Sequence, residues 1–129
     1  MTKIPEELFY SKEHEWVMVE KGNARIGITD YAQDQLGDVV FVEIPAVGEK
    51  FEMNNRFAVL ESVKAVADAF IPITGIVVEA NEALLDNPEL LNEDPYGEGW
   101  IAVVEVVKEK ELTELMDAAG YAKFLEEEA

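Results

Sequence analysis

The sequence predicts a β-rich fold with terminal helices, in which two packed antiparallel sheets or a flattened barrel enclose the core. Two observations carry this prediction. Short runs of alternating or β-branched residues, each ended by a turn signal, fill most of the first hundred positions. From Glu111 onward the apolar residues change to helical spacing. No linker, repeat or low-complexity segment divides the chain, so residues 1–129 are predicted to form a single domain.

The first two long strands form a predicted hairpin. Residues 15–20 (EWVMVE) alternate between apolar and polar side chains, and residues 24–28 (ARIGI) return as a second strand. Gly22 and Asn23 lie between them, and both residue types favour the positive φ of a tight hairpin turn. The turn is therefore predicted at Gly22-Asn23.

A short helix and a strand come next. Residues 29–37 (TDYAQDQLG) predict a helix of about two turns, because Thr29 or Asp30 can cap its start and Gly37 stands where a helix ends. Residues 38–45 (DVVFVEIP) are rich in β-branched side chains and predict a strand that stops at Pro45.

The middle of the chain predicts a hairpin and two further strands. Residues 57–71 are almost entirely apolar and form the predicted hairpin, while residues 75–81 and 100–107 each predict one strand. Residues 82–99 contain prolines, glycines and Asn or Asp turn candidates around one short helical piece. This segment is predicted to be a long ordered loop.

The C-terminal segment, residues 111–127, is predicted to form two short helices. Leu112, Leu115 and Met116 recur at helical spacing and mark the first of them. Gly120 is expected to end that helix, because glycine is a poor helix former, and a second short helix follows it.

The chain is strongly acidic, with 28 Asp and Glu residues against 10 Lys and Arg and a net charge of −18. Such a surface repels phosphate backbones and anionic lipids, which argues against nucleic-acid binding and membrane binding. It favours protein partners that have basic docking surfaces. Solvation alone accounts for an acidic surface equally well.

Nothing in the sequence indicates export or membrane insertion. The first ten residues, MTKIPEELFY, have neither an apolar core nor an Arg-rich amphipathic pattern. The longest apolar run, at about 65–78, is interrupted by Asp68, Pro72 and Gly75 and is too broken to span a bilayer. The sequence therefore predicts a soluble, cytoplasmic protein.

Few residues are available for enzyme chemistry. The absence of cysteine excludes disulfides, thiolate metal sites and cysteine nucleophiles. His14 is the only histidine and has no HExxH motif around it, so a structural or interface role is favoured over a metal ligand. No nucleophile elbow, P-loop or dinucleotide fingerprint is present. A pair of carboxylates acting as acid and base, as in a small hydrolase, stays open.

Lys64 stands alone in the predicted hairpin of residues 57–71, and the next basic residue is Lys108. One interpretation is a solvated lysine that protects the hairpin from aggregation. The segment ESVKA (61–65), however, lacks the Gly, Asn-Gly or Asp-Gly expected at a tight turn. A lysine that projects from a turn between small apolar neighbours suits covalent modification, in which its amine becomes the amide of a mobile prosthetic arm.

Several long segments resemble the H proteins of the glycine cleavage system over essentially the whole chain. The matching segments are HEWV (14–17), GITDYAQDQLGDVVFVEIPAVG (27–48), ESVKA (61–65), EANEAL (79–84) and NPELLNEDPYGEGW (87–100). Thr74-Gly75 stands where the family has Ser-Gly, and Ala46 stands where Glu is often found. Neither departure lies at the candidate lysine.

The resemblance implies a barrel-sandwich hybrid fold, like that of lipoyl domains, and a non-catalytic carrier with lipoic acid in amide linkage on Lys64. The lipoyl arm would take the aminomethyl group of glycine from a pyridoxal-phosphate-dependent glycine decarboxylase. It would present that group to a tetrahydrofolate-dependent aminomethyltransferase and then be reoxidised by dihydrolipoyl dehydrogenase. A lipoate-attaching enzyme is a further implied partner.

The resemblance also directs attention to residues around the lysine. The aminomethyl group carries an amine that is cationic when protonated, so a carboxylate near the parked arm would stabilise it. Glu15 and Asp68 are the candidates for this role. Recognition of the attachment tip is expected to involve Glu61, Ser62, Val63 and Ala65.

Three functions other than a lipoyl carrier for glycine cleavage are possible for such a sequence. A biotin carrier has the same architecture, but its lysine normally lies between two methionines, whereas Lys64 lies between Val63 and Ala65. An H-like protein could instead donate lipoate to other enzymes. A carboxylate-dependent hydrolase would keep its turnover in Lys64→Arg.

A carrier that visits several active sites is expected to be a monomer.

Overall fold

The computed structural model describes residues 2–128 and confirms the predicted class, with antiparallel sheets and a few short helices. The strands are β1 (Phe9–Tyr10), β2 (Glu15–Glu20), β3 (Asn23–Ile28), β4 (Val39–Glu43), β5 (Lys50–Phe51), β6 (Arg56–Ser62), β7 (Val66–Phe70), β8 (Gly75–Ala80) and β9 (Ala102–Val106). The helices are α1 (Asp30–Leu36), α2 (Ala83–Asp86), α3 (Leu90–Glu93) and α4 (Ala118–Glu128), with a 3-10 segment at Glu109–Glu114. None of these helices has the length and hydropathy needed to cross a bilayer.

Two sheets enclose the main core. The larger sheet has six strands in the order β1-β2-β3-β9-β8-β5, and the smaller has three in the order β4-β6-β7. Alternation along each strand turns one set of side chains inward, and Val17, Ile26, Leu60, Val77 and Val104 are all at most 3% exposed. Each buried side chain of this size contributes about 1.5–3 kcal/mol relative to an exposed one.

A second, aromatic cluster lies under helix α4. Tyr10, Trp16 and Tyr121 are each at most 1% exposed, and the rings of Tyr10 and Tyr121 stack at 4.6 Å. The indole N–H of Trp16 donates to the carbonyl of Pro95 at 2.9 Å, so its polar atom is satisfied despite burial. This cluster fixes the C-terminal helix against the larger sheet.

The turn between β2 and β3 lies one residue earlier than predicted. Lys21 and Gly22 have φ of 49° and 82°, and Asn23 is already the first residue of β3. Consecutive positive φ values suit the right-handed twist of a two-residue hairpin. The preference of asparagine for such turns is overridden here because Asn23 pairs with Glu20 in the strand register.

The segment at 82–99 is ordered, as predicted, but contains two helical turns, α2 and α3, rather than one. The side-chain amide of Asn81 donates to the carbonyl groups of Glu98 and Trp100 at 2.8 and 2.7 Å. These bonds tie the two ends of the segment together, which orders a stretch without a long helix or strand.

The C-terminal prediction is wrong at Gly120. The first predicted helix is the 3-10 segment, and Gly120 lies inside α4 rather than at a break. The carboxylate of Asp117 accepts a hydrogen bond from the Gly120 N–H at 2.8 Å, so Asp117 caps the start of α4. Glycine is tolerated because it falls in the first turn of the helix.

Candidate functional site

The β6–β7 hairpin turns at residues 62–65, and the side chain of Ser62 builds this turn. The Ser62 N–H donates to the Ala65 carbonyl at 2.8 Å, while Ser62 Oγ accepts from the backbone N–H groups of Ala65 at 3.0 Å and Lys64 at 3.3 Å. Val63 and Lys64 both keep negative φ. The serine hydroxyl thus explains why the turn needs neither glycine nor asparagine.

Lys64 lies at the exposed end of this hairpin. Among residues 2–128, no carboxylate forms a salt bridge with its ammonium group. Its aliphatic stem runs along Gly37, where an added Cβ would come within 3.0 Å of Lys64 Cε. Gly37 has a φ of 87°, a conformation that glycine adopts without strain. The stem therefore packs on Gly37, while the residue as a whole stays exposed.

The hairpin tip is held against the junction between α1 and β4. The Val63 N–H donates to the carbonyl of Asp38 at 3.0 Å. The Asn92 side chain fixes the junction itself, since its Oδ1 accepts from the Val39 N–H at 2.9 Å and its Nδ2 donates to the Gly37 carbonyl at 2.9 Å. Sequence reasoning missed Asn92, because a contact across more than fifty residues leaves no local signal.

The predicted recognition residues lie around Lys64 and differ in their exposure to solvent. Val63 and Ala65 are exposed on either side of it, and Val63 is 71% exposed. Ser62 is half-buried and serves the turn. Glu61 lies in the centre of the smaller sheet, on the face away from the core, between its partners on β4 and β7.

Glu15, a predicted arm-parking residue, is only 2% exposed. Its carboxylate accepts hydrogen bonds from Ser11 Oγ at 2.7 Å and from the Phe70 N–H at 3.2 Å. Burial raises the pKa of Glu15 to about 8, with the hydrogen bond from Ser11 opposing that rise. Glu15 therefore caps the free edge of β7 as a buried carboxyl group.

Asp68, the other predicted parking residue, lies on the outward face of β7. Its side chain is 42% exposed and lies 3.7 Å from Arg56 in an exposed ion pair. Phe70, which donates to Glu15, is two residues further along the same strand. The fold thus brings both predicted carboxylates to β7, one accessible and one buried.

His14 has a packing role. Its Nδ1 lies 2.8 Å from the Tyr121 hydroxyl, which in turn lies 2.8 Å from Thr29 Oγ1. Its ring packs against Tyr31 and Phe124. Burial lowers the pKa of His14, which favours the neutral ring that can accept from the tyrosine. No group of three or more potential metal ligands occurs within residues 2–128.

Known proteins resemble this chain over nearly its whole length. The family model for the glycine cleavage H-protein matches residues 8–128. Among curated relatives, the glycine cleavage system H protein of Symbiobacterium thermophilum is 54% identical over 127 residues, covering 98% of this chain and 99% of the relative. That of Halothermothrix orenii is 52% identical over 124 residues, covering 96% and 97%.

A solved structure gives the same result. The crystal structure of a glycine cleavage system H protein from Mycobacterium marinum superposes with a TM-score of 0.82 at 36% identity, covering 93% of this chain and 97% of that one. The match confirms the barrel-sandwich hybrid fold and the resemblance found in the sequence. The chain belongs to the glycine cleavage H-protein family.

Proposed function

We propose that this chain is the lipoyl-bearing carrier of a glycine cleavage system, with lipoic acid in amide linkage on Lys64. The observation that carries the proposal is the exposed lysine on a rigid turn, in a chain of this family. The residues present fit the group, because Lys64 is exposed at the end of the hairpin and its stem packs on Gly37. The attached group would supply a disulfide that is reduced as it takes up the aminomethyl group, and the dithiol left after transfer would be reoxidised to the disulfide.

Attachment requires the neutral amine of Lys64. After loss of a proton, its Nζ attacks the acyl carbon of an activated lipoyl group, such as a lipoyl adenylate. The amide C–N bond forms as the acyl bond to the phosphate oxygen breaks. AMP leaves with that electron pair, and the nitrogen releases a second proton to solvent. The hydrogen bonds of Ser62 reduce the conformational freedom of the turn, so the amine is presented in a narrow range of positions.

Asp68 and Glu15 are proposed to stabilise a cationic end group of the parked arm. Asp68 is the accessible carboxylate and would make the first charge-assisted contact. Glu15 accepts a hydrogen bond from Phe70 of the same strand, and burial raises the pKa of Glu15 to about 8. A cation that reached the edge of β7 would draw Glu15 toward its ionised form, because an opposite charge favours ionisation.

The partners follow from the carrier role. Glycine decarboxylase would load the arm, aminomethyltransferase would unload it, and dihydrolipoyl dehydrogenase would reoxidise it, while the chain itself catalyses no step. A net charge of −18 favours weak docking onto basic surfaces around several active sites in turn. A monomer suits this exchange of partners, because the tip must stay accessible.

A carrier that donates lipoate to other enzymes is the second candidate, and it shares the attachment on Lys64. A biotin carrier and a carboxylate-dependent hydrolase differ from both candidates in what they predict for this lysine. Biotinylation would appear in place of lipoylation, and hydrolase turnover would survive Lys64→Arg.

The attachment is tested by intact-mass measurement and peptide mapping after incubation with lipoate, ATP and a lipoate ligase. We expect the gain of one lipoyl group located on Lys64 and no gain in Lys64→Arg. Lys108→Arg is the matched control and should be modified like the original chain. The proposal would be overturned if the chain gained no lipoyl group while the same ligase modified a known lipoyl domain.

A further inference from the structure

The outward face of the smaller sheet carries an apolar surface beside Lys64. In the strand register, Phe41 of β4 is opposite Glu61 of β6, and Glu61 is opposite Val66 of β7. The three side chains therefore form one row across the sheet. Phe41 and Val66 are 51% and 67% exposed. A row of this kind next to the tip is available for contact with another molecule.

A β-bulge enlarges this surface. The register shifts between Val39 and Phe41, and Val40 is exposed as well as Phe41. Strict alternation would have turned one of these two neighbours inward. Val63, at the tip, is 71% exposed and is tied to the same region through Asp38. The outer tip face, defined as Val40, Phe41, Glu61, Val63 and Val66, is thus continuous with Lys64.

The composition of the outer tip face indicates what it binds. Four of the nine exposed large hydrophobic residues among the described positions lie in this face. Single exposed apolar residues are common on protein surfaces, but a cluster of them indicates a contact surface. Its only charged member is acidic, and Asp38 and Glu43 are exposed at its edge. The complement is a surface that is apolar at its centre and carries Lys or Arg around it.

We propose that the outer tip face is the docking surface for the enzyme that attaches lipoate to Lys64. This inference rests on the proposed function and extends recognition beyond the hairpin to strand β4. The attaching enzyme acts on the lysine amine itself, which extends from the backbone only by a four-carbon stem. Its surface must therefore come close to the sheet beside the tip. Enzymes that act at the end of the much longer lipoyl arm can hold the tip at a greater distance.

Phe41→Ser tests the proposal without altering the hairpin that carries Lys64. The unmodified chain is titrated against a lipoate ligase with lipoate and ATP, and initial rates give KM and kcat. We expect KM to rise about tenfold or more with kcat little changed, as for loss of a central aromatic contact. Phe41→Leu should restore much of the affinity. Val47→Ser is the matched control, since Val47 is 65% exposed in the turn beyond the other end of β4.

The possible failures are distinguishable. If the original chain is not lipoylated, the proposed function fails and the docking surface fails with it. If the original chain and Phe41→Ser are lipoylated with the same KM, only the docking surface is overturned. Sedimentation of both chains tests whether a second copy of this chain covers the face. If the original chain self-associates, Phe41→Ser does not, and their KM values are equal, the face is a dimer interface. Denaturant unfolding of each variant verifies that the chain is folded.

Discussion

The aromatic cluster under α4 and the outer tip face use large apolar side chains in opposite ways. In the cluster, Trp16 and Tyr121 are at most 1% exposed and their polar atoms are hydrogen bonded. At the tip, Phe41 and Val63 are 51% and 71% exposed and contact nothing that covers them. The first region is covered within one chain, whereas the second leaves apolar area exposed that we propose a partner covers.

The side chains that stabilise the fold therefore lie in a different region from those that present Lys64. Buried aromatic area stabilises the fold, and the tip depends on local devices, the Ser62 turn and the Asn92 hydrogen bonds. A carrier benefits from this arrangement because contacts at the tip can be exchanged without disturbing the core. Substitutions in the two regions should therefore affect different measurements.

The largest expected loss of stability follows truncation of an aromatic residue in the cluster. Trp16→Ala should lower the free energy of unfolding by about 3–5 kcal/mol, because it leaves a cavity and an unpaired Pro95 carbonyl. Phe41→Ala, the matched truncation at the tip, should cost less than about 1 kcal/mol. Guanidinium unfolding measures both. Equal losses would contradict the separation of the two regions.

Glu15→Gln should remove a pH-dependent destabilisation at the edge of β7. The pKa of Glu15 is raised to about 8 in the folded chain from its ordinary value near 4.5, so the folded state holds a proton that the unfolded state has lost between these values. The stability of the original chain therefore falls as pH rises through this window. At pH 8 Glu15→Gln should be more stable by about 2–4 kcal/mol, and at pH 4 the two should agree. A constant difference across this range would refute the assignment.

Tyr121→Phe should lower the free energy of unfolding by about 1–2 kcal/mol, since Thr29 and His14 would lose their shared partner. Thermal unfolding with calorimetry provides the measurement. Tyr31→Phe is the matched control, because the Tyr31 ring packs on His14 while its hydroxyl has no hydrogen bond to another described residue. If both variants lost the same stability, the hydroxyl network would not be the cause.

Asn92→Ala should have a small global effect, about 1 kcal/mol, but a clear local effect at the tip. Loss of the bonds that fix Gly37 and Val39 should loosen the junction and expose the Val63 amide. Hydrogen exchange should then be several-fold faster at Val63. Asn87→Ala, in the exposed turn between α2 and α3, is the control. Unchanged exchange at Val63 would mean that Asn92 does not position the tip.

Alternation and β-branching were sufficient to predict the longer strands, but not the two-residue strands β1 and β5. The attachment of lipoate to Lys64 was implied by the family resemblance and stays a prediction. Local patterns did not predict the contacts that hold the hairpin tip in place. The bonds of Asn92 join positions far apart in sequence, and the bulge at Val39–Phe41 is set by pairing with β6. The start of α4 did have a local signal, because Asp117 can cap a helix. The prediction gave more weight to Gly120 as a helix breaker and so missed it. The accessibility of Glu15 could not be foreseen, because its burial depends on β7.

The most direct test of the carrier role is glycine-dependent exchange of labelled bicarbonate by a glycine decarboxylase supplied with this chain. The lipoylated chain should support exchange, and both the unlipoylated chain and Lys64→Arg should support none. Exchange by Lys64→Arg at the rate of the lipoylated chain would contradict the carrier role of Lys64. So would its absence with the lipoylated chain, if the same decarboxylase were active with another H protein.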